Sequence, residues 1–224
     1  MKKLFIFGDS ILKGVTFSEE ANRYKICLPN YSGLSDNGIE VNNLCKMGAT
    51  IEYGERILKE ELSGMDGDSI VVFEYGGNDC DHKWKEISEA PDDTHSCNTA
   101  PALFEKLYTM CMEYARSVGA RVLITNLPPL DSEKYMNWIS RGLDYDVLLG
   151  WLGDKSMLYR WHENYNRLVE RIAEKCGAEL IDLRGAFLTS HNFKKLISAD
   201  GIHPTADGHS LITKTLTDAI LSKT

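Results

Sequence analysis

Three residues near the two ends of the chain have the types needed to cleave an acyl bond. They are a hydroxyl at Ser10, an imidazole at His203 and a carboxylate at Asp200. A serine hydroxyl alone is a weak nucleophile. It needs a base within hydrogen-bond reach to take its proton, and an acid to hold that base in the right tautomer. In Asp200-Gly201-Ile202-His203-Pro204 one turn-like loop can bring the carboxylate to the ring Nδ1, and Pro204 biases the backbone at His203 towards an extended form. The tetrahedral intermediate also needs donors for its oxyanion. Gly77-Asn78 offers a side-chain amide, and Gly48 a backbone N–H with no side chain in the way. Taken singly, each block has an ordinary explanation. Gly8-Asp9-Ser10 reads as a strand, a turn and a helix cap; Asp200-Gly201 and Gly77-Asn78 read as turns, and His203-Pro204 as the lead-in to a helix.

The elements around these residues must bring them together. Leu4-Phe5-Ile6-Phe7 is an unbroken apolar run ending at Gly8-Asp9-Ser10, the signature of a strand buried on both faces. Ile70-Val71-Val72-Phe73 is the strongest strand signal and closes at Gly76-Gly77-Asn78-Asp79. Further strands are predicted over 39–45, 121–126 and 179–183. Helices are predicted over 51–62, 101–118, 156–176 and 206–221, with a turn or two after Ser10 and Thr205 as an N-cap. Strands alternating with helices mean a parallel sheet covered on both faces, a three-layer α/β/α sandwich. At 224 residues the chain reads as one domain over 1–224. Ligands of such sheets gather at the carboxyl ends of the strands, where Ser10 and Asn78 both fall. Residues 15–37 read as irregular, and surface insertions are expected at about 80–98, a long polar loop, and 127–160. The second is rich in Tyr135, Trp138, Tyr145 and Trp151. Its residues 131–154 are expected to wall an acyl pocket, with at least one ring limiting acyl length in favour of short chains.

Four blocks in order, Gly8-Asp9-Ser10, Gly48, Gly77-Asn78-Asp79 and Asp200 through His203, resemble the SGNH hydrolases, also called GDSL esterases or lipases. They frame residues 1–210. The resemblance implies a flavodoxin-like fold with a mainly five-stranded parallel sheet in the order 2-1-3-4-5. It also implies Ser10 as nucleophile, His203 as base and Asp200 as its orienting acid. The oxyanion hole would comprise the Ser10 amide, Gly48 and Asn78, with Asp9 and Asp79 as loop organisers. The expected reaction is hydrolysis of a small O-acyl ester, an acetylated carbohydrate being one case. An acyltransferase, or a non-catalytic binding module on the same fold, is the alternative.

Composition narrows the partners. The net charge of −8 argues against nucleic acid and anionic membrane, both of which need a positive face. No stretch approaches the ~20 apolar residues that span a bilayer. Gly8-Asp9 interrupts the apolar start too early for a signal peptide, so a cytoplasmic location is expected. The six cysteines show no Cys-x-x-Cys pair and are expected as free thiols. No histidine pair has metal-ligand spacing, and no P-loop or Gly-x-Gly-x-x-Gly stretch occurs. Neither metal nor cofactor is expected, and the partner is a small-molecule ester. Nothing in the sequence sets the oligomeric state. His82, His95, His162, His191 and His209 are assigned no catalytic part.

Overall fold

The structure, a computed structural model, describes residues 2–222. The chain opens with β1 (Lys2–Gly8), α1 (Ser10–Lys13), β2 (Val15–Ser18), β3 (Arg23–Ile26), α2 (Ser32–Ser35) and β4 (Ile39–Asn43). It continues through α3 (Ile51–Glu61), β5 (Ser69–Glu74), α4 (Trp84–Glu89), α5 (Pro101–Ser117), β6 (Arg121–Thr125), α6 (Ser132–Ile139) and α7 (Tyr145–Leu152). It ends with α8 (Ser156–Cys176), β7 (Glu179–Ile181), α9 (Leu183–Leu188) and α10 (Ala206–Leu221).

Five strands form one parallel sheet in the order β4-β1-β5-β6-β7. Leaving the β2–β3 hairpin aside, this is the expected 2-1-3-4-5. β1 sits between β4 and β5, which explains why its apolar run is unbroken. Alternate side chains go to opposite faces. Leu4 and Ile6, with Ile70 and Val72, pack against Leu183, Phe187, Ile212 and Leu216 of α9 and α10. Phe5 and Phe7, with Val71 and Phe73, pack against Leu58, Phe104, Tyr108 and Val169 of α3, α5 and α8. These are the outer two layers of the sandwich. α8 stops at Gly177, whose left-handed φ of 58° terminates the helix as a glycine does best. Thr205 caps α10, its side chain accepting from the Gly208 amide at 3.3 Å.

Two stretches differ from the sequence reading. Residues 15–37 are not wholly irregular. β2 and β3 pair as an antiparallel hairpin, Val15 opposite Ile26 and Phe17 opposite Tyr24, and α2 follows. His209 of α10 ties the hairpin down by donating from Nε2 to the Val15 carbonyl at 2.8 Å. Residues 80–98 are not simply a polar loop, since they contain α4. Its Ile87 joins Leu130, Met136, Ile139, Leu148 and Leu158 in a third apolar cluster. That cluster is built by α4, α6, α7 and the first turn of α8, so the two insertions form one body standing on the sheet's carboxyl edge. Asp131 and Asp144 cap α6 and α7 by accepting backbone amides. Among the described residues all six cysteines are free, and no helix is long and apolar enough to cross a membrane.

Candidate active site

Ser10 begins α1 directly after β1. Asp9 is the N-cap, accepting from the Ile11 amide at 2.8 Å. This sharp strand-to-helix turn leaves the Ser10 N–H at a helix start, where it has no partner among the described residues. The loop between the 3₁₀ turn at 193–196 and α10 carries the other two residues. It is closed by the Ile197–Pro204 bridge and by the Ser198 amide donating to the His203 carbonyl at 2.8 Å.

Three side chains meet there, almost wholly buried at 5% exposure for Ser10, 4% for His203 and 0% for Asp200. His203 Nδ1 donates to Asp200 Oδ2 at 2.5 Å, and Ser10 Oγ lies 2.8 Å from His203 Nε2. With the ring proton on Nδ1, Nε2 is the acceptor and Ser10 the donor. The other Asp200 oxygen, Oδ1, accepts from Ser198 Oγ at 3.0 Å and from the amides of His203 and Ile202 at 3.1 and 3.2 Å. Burial alone would push the Asp200 carboxyl up. The bond and charge of His203, with the backbone amides, hold it below its ordinary value. It therefore stays ionised and can stabilise an imidazolium.

Gly201 is the tightest point of this loop. Its φ is +83°, and a Cβ there would lie 2.3 Å from the Tyr135 nitrogen of α6, while its carbonyl accepts from the Asp131 amide at 2.8 Å. Gly201→Ala is expected to destabilise the protein by ~1–3 kcal/mol or more through backbone strain alone. It should also cut kcat by as much as about 10², because His203 shifts from its hydrogen bond. Urea unfolding and steady-state kinetics on one preparation check both.

Asn78 lies in the turn after β5 and borders the same cavity as Ser10. Its amide is already engaged, since Nδ2 donates to Asp9 Oδ2 at 2.8 Å and to the Ala49 carbonyl at 3.2 Å. The bond to Ala49 is the longer and weaker of the two. Gly48, next to Ala49, is exposed, has φ +75° and its N–H has no partner among the described residues.

Behind Asn78 lies a pair of buried carboxyls. The Asp9 amide donates to Glu74 Oε2 at 3.3 Å, and the two side chains are hydrogen-bonded to each other. Burial raises both, and the charge of Asp9 raises Glu74 further, so Glu74 holds a proton and Asp9 is free to accept from Asn78. Asp79 acts as an organiser at 0% exposure, with Oδ1 accepting from the Ile51 amide at the head of α3 at 3.0 Å. Burial raises Asp79 to about 7 against that bond. Folded protein then binds more protons than unfolded between about pH 4 and 7, so this residue lowers stability as pH rises through that window. Asp79→Asn removes the effect. Its urea midpoint should gain on the parent between pH 5 and pH 8, and a constant difference would refute the assignment.

A cavity of about 440 Å³ opens beside Ser10 and His203. Its walls include Trp84 of α4, Trp151 of α7, Trp161 of α8, Tyr135, Leu130 and Leu158. Residues of the 127–160 insertion border this cavity, Tyr135 and Trp151 among them and Trp138 not. Trp138 packs on the hairpin, 4.5 Å from Phe17 and 6.0 Å from Tyr24, with the Arg141 guanidinium 3.8 Å over its ring. Tyr24 reaches the site from that side. Its ring is 5.1 Å from His203, and burial, with the neighbouring charge of Asp200, raises the phenol. The sequence reading missed Tyr24, although Val15-Thr16-Phe17-Ser18 and Arg23-Tyr24-Lys25-Ile26 alternate with the period of a strand. It also passed over His82, His95 and His162, which line the cavity.

A search of the curated proteins by sequence returned no match. Among solved structures, a lipase/acylhydrolase from Enterococcus faecalis is similar at a TM-score of 0.69 and 18% identity, over 100% of this chain and 97% of that one. A catalytic mutant of an acetylxylan esterase from Geobacillus stearothermophilus is similar at 0.68 and 16%, over 98% and 94%. A GDSL-like lipase from Bacteroides thetaiotaomicron is similar at 0.63 and 14%, over 99% and 89%. At these identities the likeness speaks for the fold. The family model for GDSL-like lipases and acylhydrolases matches residues 6–211, from within β1 to within α10 and across every block discussed above; the chain belongs to that family.

Proposed function

We propose that this chain is a carboxylic ester hydrolase that works through Ser10, His203 and Asp200. The observation that carries the reading is the unbroken hydrogen-bond chain from Ser10 Oγ through both ring nitrogens of His203 to a buried carboxylate. Ser10 Oγ attacks the ester carbonyl while His203 Nε2 takes its proton. The Ser10 and Gly48 amides and the Asn78 side chain receive the oxyanion. The imidazolium then protonates the departing alkoxide, leaving an acyl-serine. Water, deprotonated by the same imidazole, releases the acid.

An uncharged small-molecule ester suits the site, and a cavity of about 440 Å³ has room well beyond an acetyl group. The acetylated carbohydrate anticipated from the sequence is one ester the enzyme could take, and the cavity does not require it. The unpaired cysteines support a reducing compartment such as the cytoplasm. Transfer to an acceptor other than water remains the alternative outcome of product analysis with added alcohols. The test is hydrolysis of p-nitrophenyl esters combined with labelling by a fluorophosphonate probe. Covalent labelling of Ser10 and release of p-nitrophenol are expected. Absence of both would leave a binding module on this fold.

A further inference from the structure

We propose that the cavity is the acyl subsite for an uncharged acyl chain bearing a hydroxyl group, which His82 and His162 hydrogen-bond. This rests on the esterase reading above and names its substrate class. Size is the first ground. A water molecule's share of liquid is ~30 Å³, so about 440 Å³ corresponds to more than a dozen such volumes, and an acetyl group would leave most of it unfilled.

Direction is the second. The leaving oxygen must sit at His203 Nε2, and Tyr24 of the hairpin, with Trp138 packed on it, lies against the His203 ring. The alcohol therefore departs past the hairpin, while the acyl chain points away from it into the cavity.

Charge is the third. No lysine or arginine lines the cavity, whereas the carboxyls Asp9, Glu74 and Asp81 do. Asp81 is committed to the wall, accepting from Tyr135 Oη at 2.6 Å and Trp84 Nε1 at 2.8 Å. A negatively charged acyl group would meet carboxylates and no counter-charge. A positive one would be desolvated in surroundings that already keep two imidazoles neutral. Burial, with the neighbouring charge of His95 for the first and Arg184 for the second, pushes His82 down to about 4 and His162 to about 3.

The fourth ground points to a ligand directly. His162 is 8% exposed and its Nδ1 has no hydrogen-bond partner, a cost that proteins rarely leave unmet. The His82 ring makes no hydrogen bond among the described residues. It is held only by aromatic contacts, 5.3 Å from Trp151, 5.4 Å from Trp84 and 5.8 Å from Trp161. Each neutral imidazole presents one donor and one acceptor, and a hydroxyl, which also does both, can satisfy either tautomer. Three tryptophans supply the apolar sleeve and two histidines the polar contacts, the usual division of labour in a specific pocket.

The test uses p-nitrophenyl esters with one leaving group and four acyl groups: acetyl, octanoyl, hydroxyoctanoyl and succinyl. The parent enzyme should prefer hydroxyoctanoyl over octanoyl by about tenfold, the value of one net hydrogen bond, and should process succinyl worst. His82→Phe should collapse the hydroxyoctanoyl-to-octanoyl ratio towards one. Both esters are read on the same protein, so partial unfolding cancels. In Ser10→Ala, which holds ester without turnover, tryptophan fluorescence should change on titration with the hydroxyoctanoyl ester and not with acetyl. Preference for acetyl, or an unchanged ratio in His82→Phe, overturns the subsite while leaving the hydrolase intact. Loss of all turnover and of fluorophosphonate labelling in the parent refutes the hydrolase reading instead; the fluorescence titration then decides the subsite by itself.

Discussion

Replacing Ser10 with alanine is expected to lower kcat by a factor on the order of 10⁶, the scale on which removing one member of a serine triad disables the whole. The residue touches little that matters for folding. Its hydroxyl makes one side-chain hydrogen bond, to His203 Nε2, and alanine is a good residue at the start of a helix. The cost in stability is about 1–3 kcal/mol at most, for a ring nitrogen left without its donor. Activity and stability thus separate cleanly, which makes the variant informative. Fluorophosphonate labelling should vanish with turnover, while the circular dichroism spectrum and a cooperative unfolding transition persist. A folded variant with turnover within tenfold of the parent would end the mechanism, because among the described residues Ser10 Oγ is the hydroxyl hydrogen-bonded to His203 Nε2.

Asn78→Ala should reduce kcat by roughly 10²–10³, the effect of losing one oxyanion donor. KM should stay close to the parent value, since the bond strengthens in the transition state. The structure adds a second expectation. Asn78 Nδ2 also holds the Asp9 carboxylate at 2.8 Å, and Asp9 in turn caps α1 and faces the protonated Glu74. Removing the amide leaves a buried carboxylate short of one donor, a loss of about 1–3 kcal/mol in stability. The two roles can be told apart. An oxyanion donor moves kcat by orders of magnitude at saturating substrate. A residue that only braces Asp9 lowers the unfolding midpoint and leaves kcat near the parent, and that pattern would remove Asn78 from the chemistry.

The sheet was legible because its strands are buried on both faces. Leu4–Phe7 and Ile70–Phe73 have no polar residue to disturb the reading, and a glycine follows each at the site, Gly8 directly and Gly76 after Glu74-Tyr75. The same clarity placed Ser10 and Asn78 at one edge. The meeting of Asp200, His203 and Ser10 follows local spacing for the first pair, but family resemblance was needed for the long-range one. The hairpin escaped notice because its outer residues face solvent. Arg23, Lys25 and Ile26 are exposed, so its alternation is short and polar, and its worth lies in Phe17 and Tyr24 packing on distant residues. α4 was hidden for a similar reason. Its six residues bury Ile87 against another insertion, a contact that no local period reveals. Trp138 and Trp151 had equal claims in sequence. Only the packing of α6 against α8 and of α7 against α4 decides that one faces the hairpin and the other the cavity.

The placement of β1 between β4 and β5 has a consequence for how the enzyme is made. β1 is synthesised before either of the strands that flank it, and both of those are complete by Glu74. The acid and base come about 130 residues later, on the loop before the last helix. At ~5–20 residues per second of synthesis, roughly 6–26 s separate a nascent sheet that already carries the nucleophile from the arrival of its base. During that interval the serine has no partner to activate it. Esterase activity during translation would therefore report on completion of the C-terminal loop and helix, and not on assembly of the sheet.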